Sequence, residues 1–344
     1  MAISRRWWSP IAATLIAGVL CAPRASAQEA PAAAPSTGPR LDFPAGLDTD
    51  GTAVYVANSR NDTISRIDMA GAISIVAGQS SKAGTDDGTG SAALFNSPDG
   101  LTILNGALYV ADTNNSDLRK IVLATKVVTT IAGTANIAGT ENGRGSAAHF
   151  NLPTQICNDG KGTLYIVDTG NSQIRKLVLA EMTISTIGGQ APDGEGKEDG
   201  PASKSKFKNP RGVATDGKFL YVADTANNMI RKIDLSGNVT STIAGTGAEG
   251  NDNGAGASAT FNHPEALATD GTTLYIADAD NHAIRKLNLA DNSVSTLTLV
   301  NGHLGSGLTV SKDGKTLFFS DTTENAVQRV DTSNGNFTSL YPKQ

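Results

Sequence analysis

Short apolar runs separated by Gly-, Asn- and Asp-rich breaks fill the chain after residue 40, and one block of them recurs. LYVADTNNSDLRKI begins at Leu108, LYIVDTGNSQIRKL at Leu164, LYVADTANNMIRKI at Leu220 and LYIADADNHAIRKL at Leu274. Weaker copies, VYVANSRNDTISRI at Val54 and LFFSDTTENAVQRV at Leu317, flank them and bring the count to six. Within a block, Leu-Tyr-Val-Ala is rich in β-formers and stops at a polar turn, after which Ile-Arg-Lys-Ile resumes. Upstream lies Phe-x-x-Pro with a small-plus-apolar run, and downstream a strand ending in Ala-Gly or Gly-Gly, as in Ser241–Gly245. Each unit therefore predicts four strands, a to d. Phe43, Phe95, Phe150, Phe207 and Phe261 are the expected anchors, and the sixth unit starts near Leu304 without one.

Four antiparallel strands repeated radially form a propeller blade, which cannot bury both faces alone. Six units predict an all-β, six-bladed β-propeller over 41–342, each blade running a to d in chain order. The ring should close by face-to-face packing of first and last blades, with no swapped strand. A β-sandwich would lack the four-strand period.

The units resemble the NHL repeat over nearly all of 41–342, through Tyr-Val-Ala-Asp and the step Asn281-His282-Ala283-Ile284. The resemblance implies the propeller fold and a wide choice of functions: amidating and streptogramin-type lyases, RNA-binding domains and extracellular interaction modules. Fold alone does not select among them.

The first residues read as an export signal: Arg5 and Arg6, the apolar run Ile11–Leu20, and Ala25-Ser26-Ala27 as cleavage site. The mature chain then begins at Gln28, and 28–40 is a Pro/Ala-rich linker. Ser4-Arg5-Arg6-Trp7-Trp8 also resembles a twin-arginine signal, so both that route and ordinary secretion stay open. Either destination is periplasmic or extracellular. Leu20 is too large to precede a lipidated Cys21. The whole chain carries net charge −5, and removing Arg5, Arg6 and Arg24 takes this to −8. That balance opposes nucleic-acid binding, as export does. No apolar run is long enough to span a membrane. Cys157 is the single cysteine after the signal, which excludes an intrachain disulfide there. A monomer is expected.

A structural residue is needed in every blade and a chemical one only once. Asp112, Asp168, Asp224 and Asp278 recur with Arg119, Arg175, Arg231 and Arg285 seven residues later, and read as structural pairs or turn caps. Cys157 falls where Ala214 and Ala268 stand, as a small buried side chain would. His282 sits in a turn filled elsewhere by Asp62, Ser116, Ser172, Asn228 and Asn325, and reads as a cap. The loops GTDDGTGSAALF, GTENGRGSAAHF, GKEDGPASKSKF and GNDNGAGASATF lie on the b–c turn face and read as tight turns packing the Phe between blades.

Divergent chemistry appears after each Pro: Ala45, Asp99, Thr154, Arg211 and Glu265, with Gln155 where other blades have Gly or Ala. Strand a is innermost, so Asp99, Thr154, Gln155, Arg211 and Glu265 are expected to line one opening of the central channel, beside the long loops. The favoured function is a non-catalytic module binding a protein, glycan or small molecule there. The alternative is a propeller enzyme, a lyase or lactonase-type hydrolase, with an acid–base pair or a metal. No cofactor is predicted. Ca²⁺ or Zn²⁺ are the cations to test, although no calcium-loop or zinc-ligand spacing is present.

Overall fold

A computed structural model describes residues 38–189 and 195–342. The export segment 1–27 and the linker up to residue 37 lie outside these. The described residues form six antiparallel sheets, with short 3₁₀ turns and no α-helix. Each sheet runs a-b-c-d, as in blade 1 with Pro44–Thr49, Ala53–Asn58, Thr63–Asp68 and Ile73–Gly78. The protein is a six-bladed β-propeller.

The core lies between blades. One cluster joins Tyr55, Ile64 and Val76 of blade 1 to Phe95, Leu108 and Ile121 of blade 2, and the same pattern repeats around the ring. Leu47, Val54 and Ile67 of blade 1 meet Phe318, Val327 and Leu340 of blade 6, so closure is face-to-face packing. Blade 6 supplies its own outer strand, Phe337–Tyr341.

Two expectations need correction. Blades 2 to 5 carry a fifth, two-residue strand on the outer edge: Gly88–Thr89, Gly143–Arg144, Gly200–Pro201 and Gly254–Ala255. The Gly-rich loops supply these strands. Each loop runs down the rim of the next blade, pairs with the start of its strand d (Thr89 opposite Val127), then returns inward. The loops therefore edge the blades instead of gathering at the channel, and they cap strands that would otherwise present unpaired backbone.

The second correction concerns Phe43. Phe95, Phe150, Phe207 and Phe261 are fully buried, whereas Phe43 is 38% exposed. Phe43 directly precedes its proline, so the anchor position three residues before Pro44 belongs to the buried Leu41.

Candidate functional site

Repeated side-chain bonds place the start of each strand a. The first residue of a b–c turn bonds the proline carbonyl of the next blade: Ser59 to Pro98, Thr113 to Pro153 at 2.7 Å, Thr169 to Pro210 at 2.8 Å and Thr225 to Pro264 at 2.7 Å. Blade 5 has Ala279 there, and blade 6 has Leu304 in place of proline. The left-handed residue closing each turn caps a backbone N–H of the following blade, as Asp62 does for Ser97 at 2.8 Å. His282 instead donates from Nδ1 to the Gly302 carbonyl at 2.9 Å.

The recurrent Asp and Arg meet inside the blades. Arg119–Asp112, Arg175–Asp168, Arg231–Asp224 and Arg285–Asp278 stand 2.9, 2.7, 2.5 and 2.6 Å apart, with every one of these side chains fully buried. Burial outweighs the guanidinium and raises all four carboxyls, Asp112 to about 6. Each guanidinium also binds the edge loop. Arg119 reaches the Leu94 and Asp86 carbonyls and Asp87 Oδ1, and its plane lies 5.1 Å from the Phe95 ring centroid. Asn142, Asp199 and Asn253 take the place of Asp87 in the other loops. The arginine thus occurs in the blades whose rim a loop covers. Blades 1 and 6 lack the loop and carry Ser65 and Gln328 instead.

At the axis, neighbouring a strands touch backbone to backbone. Gly46 N donates to Asp99 O at 2.9 Å and Gly100 N to Thr154 O at 3.0 Å. A Cβ on Gly100 would lie 2.3 Å from the Thr154 oxygen, so only glycine fits. Blade 6 departs from this pattern. Its register passes from Leu304↔Asp321 to Leu308↔Phe319, one residue longer than Pro44↔Asn58 to Leu47↔Val56 in blade 1. The extra residue projects Ser306 inward. Ser306 Oγ donates to Asp99 Oδ1 on blade 2, and its carbonyl accepts from the Gln155 amide on blade 3, the blade facing it across the ring.

Above this crossing, a cavity of about 340 Å³ opens among the starts of the a strands. Asp99, Arg211, Glu265, His303 and Ser306 line it, with Phe43 and Arg60 from blade 1. Arg211 lies 3.6 Å from Glu265, and both are partly exposed. Desolvation raises the Asp99 carboxyl, opposed by the Ser306 hydrogen bond and by Arg211. Desolvation likewise raises Glu265, with Asp99 reinforcing it and Arg211 opposing. His303 donates from Nδ1 to the Leu304 carbonyl at 2.9 Å, which leaves Nε2 as its second ring nitrogen.

The structure thus brings Asp99, Arg211 and Glu265 together and separates the other two residues expected there. Thr154 is buried: its hydroxyl shares a 2.7 Å bond with Thr169 of its own blade and reaches the Arg211 carbonyl of blade 4 at 3.4 Å. Gln155 lines a separate, smaller cavity of about 180 Å³ at the far ends of the a strands, with Asp48, Cys157 and Asn158. Asp48 accepts there from Ile103 N and the Thr102 and Thr309 hydroxyls, although burial still raises its pKa. Burial pushes the Cys157 thiol far up, which opposes a reactive thiolate. Ser306, Arg60 and Phe43 are additions to the site. Among the described residues, no cluster of three or more His, Cys, Asp or Glu could hold a metal ion. No helix among them is long and apolar enough to cross a membrane.

No family model matches the chain. It is 27% identical over 307 residues to NHL repeat-containing protein 2 of Gallus gallus, covering 63% of this chain and 42% of the relative. This chain is an NHL-repeat propeller. The propeller spans 42% of the length of that relative, so it corresponds to a part of it. Among solved structures, the auxiliary nutrient binding protein of Bacteroides thetaiotaomicron is similar with TM-score 0.60 and 12% identity, over 88% of this chain and 70% of that chain. Virginiamycin B lyase of Staphylococcus aureus is similar with TM-score 0.55 and 15% identity, over 88% and 85%. Both likenesses concern the fold.

Proposed function

We propose that this NHL propeller is an exported binding module that takes a small polar ligand at the mouth formed by Asp99, Arg211, Glu265 and Ser306. The observation that carries this reading is the convergence of those side chains from four blades on one cavity of about 340 Å³, within the size range of small-molecule sites. A symmetric scaffold would repeat its lining. Here every charged group at the mouth occurs once, and one blade carries an inserted residue whose side chain reaches Asp99. Export rests on the N-terminal signal pattern. The test is a thermal-shift screen of the purified chain against small polar molecules, followed by calorimetry on Arg211→Ala. The reading requires a ligand whose binding Arg211→Ala weakens without unfolding the protein. A ligand bound equally well by that variant would place binding elsewhere.

The enzyme alternative has one specific support. Glu265 is largely buried, makes no side-chain hydrogen bond, and holds its proton above the usual carboxylate range, as a general acid would. On that reading Glu265→Gln abolishes turnover of a mouth ligand and preserves its binding.

A further inference from the structure

Two guanidinium groups at the mouth have hydrogen-bonding capacity to spare. Arg60, in the b–c turn of blade 1, is exposed, and its guanidinium lies over the Phe43 ring, 4.6 Å from the centroid, with no side-chain hydrogen bond or ion pair. Arg211, at the start of strand a in blade 4, has the single long ion pair to Glu265 and no side-chain hydrogen bond. Blades 1 and 4 oppose one another in a ring of six, so the two arginines border the same cavity from opposite sides. Elsewhere in the molecule the buried guanidiniums engage both terminal nitrogens and leave only Nε unpartnered: Arg231 meets two carboxylates and three carbonyls. An arginine left unsaturated over a cavity offers a planar fork suited to a carboxylate.

The rest of the lining offers hydroxyl-binding groups. Asp99 and Glu265 present carboxyl oxygens, and Ser306, Thr322 and Thr323 present hydroxyls along blade 6. Phe43 adds a partly exposed ring, the kind of surface on which the C–H face of a sugar packs.

We infer that the mouth holds a monosaccharide-sized sugar acid, its carboxylate bound by Arg60 and Arg211 and its hydroxyls by Asp99, Glu265 and Ser306. This rests on the mouth being the ligand site. A free amino acid fits less well, because its ammonium group would need an unengaged, ionised carboxylate. Asp99 already accepts from Ser306 through one oxygen and burial works against charge on both acids, whereas a sugar hydroxyl needs no ionised partner. Inorganic phosphate would use the arginines but bring its other oxygens against two carboxyls.

Isothermal titration of the purified chain with galacturonate and glucuronate, beside galactose, glutamate and phosphate, tests the assignment. Either sugar acid should bind, and galactose should bind at least about tenfold more weakly. Arg60→Ala and Arg211→Ala should each weaken the sugar acid by about tenfold or more. Arg60 is exposed, so its variant should keep the parent melting temperature and separate binding from folding. Galactose binding as tightly as galacturonate, or an unchanged affinity in Arg60→Ala, overturns the inference. Glutamate or phosphate binding that Arg211→Ala weakens, with neither sugar acid bound, overturns the ligand class and upholds the mouth as a site. Binding by none of the probes overturns the sugar-acid assignment, and a failed wider screen would then remove the site as well.

Discussion

Asn325 Oδ1 accepts a 2.7 Å hydrogen bond from the Phe43 amide, joining residues 282 positions apart in sequence. It is the bond that Asn228 makes to His263 N at 2.8 Å between blades 4 and 5. The seam where the chain closes the ring is thus built like an interior interface. Both asparagines are left-handed, with φ of 50° and 54°, so glycine replacement removes the bond without adding backbone strain. Asn325→Gly and Asn228→Gly should each cost about 0.5–1.5 kcal/mol in urea unfolding. A several-fold larger cost for Asn325→Gly would mark the seam as a special point of weakness.

Arg231 is the hub of blade 4. Arg231→Met keeps much of the volume over Phe207 but leaves Asp224 buried with only Asn227 and the Lys208 amide. Breaking a buried pair from one side costs about 3–5 kcal/mol. Asp199 loses its ion-pair partner and keeps only Thr242, so the edge loop should loosen first. Limited trypsin digestion should cut at Lys197, Lys204 or Lys206 before any other site. Unchanged stability, or first cleavage in another blade, would contradict the hub role.

The blades were legible in sequence because each strand pair repeats with its polar turn, and six copies of Tyr-Val-Ala-Asp or its variants leave the register little freedom. The fifth strands were hidden by their brevity: Gly88–Thr89 has no alternation to read, and its position depends on Arg119 thirty residues downstream. Phe43 stands directly before its proline, so it lacks the Phe-x-x-Pro spacing that buries the other four. Asp99, Arg211 and Glu265 stood out by breaking a repeat. Thr154 broke it too, but Thr169 in the b–c turn of the same blade supplies a buried partner that position along the strand does not reveal. Ser306 sits in the unit without a Phe-x-x-Pro marker. The signal available was Gly305-Ser306-Gly307, which makes the path from Leu304 to Asp321 longer than that from Pro44 to Asn58.

Asp117 makes stability depend on pH. It is fully buried with neither oxygen hydrogen-bonded, and Thr63, Gln173, Met229, Ala283 and Ala326 hold its place in the other blades. Desolvation, then the nearby Asp112 charge, pushes its carboxyl up to about 7 from 3.8. The folded state therefore holds this proton more tightly than the unfolded chain. The associated stability is present in full below about pH 4 and is lost as pH rises toward 7. Asp117→Met, the residue of blade 4, should raise the melting temperature at pH 8 by the equivalent of about 1–3 kcal/mol. At pH 5 the gain should shrink. A gain independent of pH would assign the effect to packing.

Ser306→Ala tests the inserted residue of blade 6 without touching either arginine. Asp99 keeps its burial and loses the hydroxyl that lowers its pKa, so its carboxyl should rise further. The backbone carbonyl that receives Gln155 is retained, and the two cavities should stay separate. The variant should be less stable than the parent by about 1–2 kcal/mol at pH 8, where an ionised Asp99 would be unpaired. The deficit should narrow as pH falls through the Asp99 ionisation, because a protonated carboxyl needs the hydroxyl less. Adding Asp99→Asn to Ser306→Ala should remove the pH dependence while the mouth remains altered for binding. Urea midpoints at pH 5 and pH 8 for the parent and the two variants read this directly. Equal deficits at both pH values would show that Ser306 acts on the bulge of its own strand and not on Asp99.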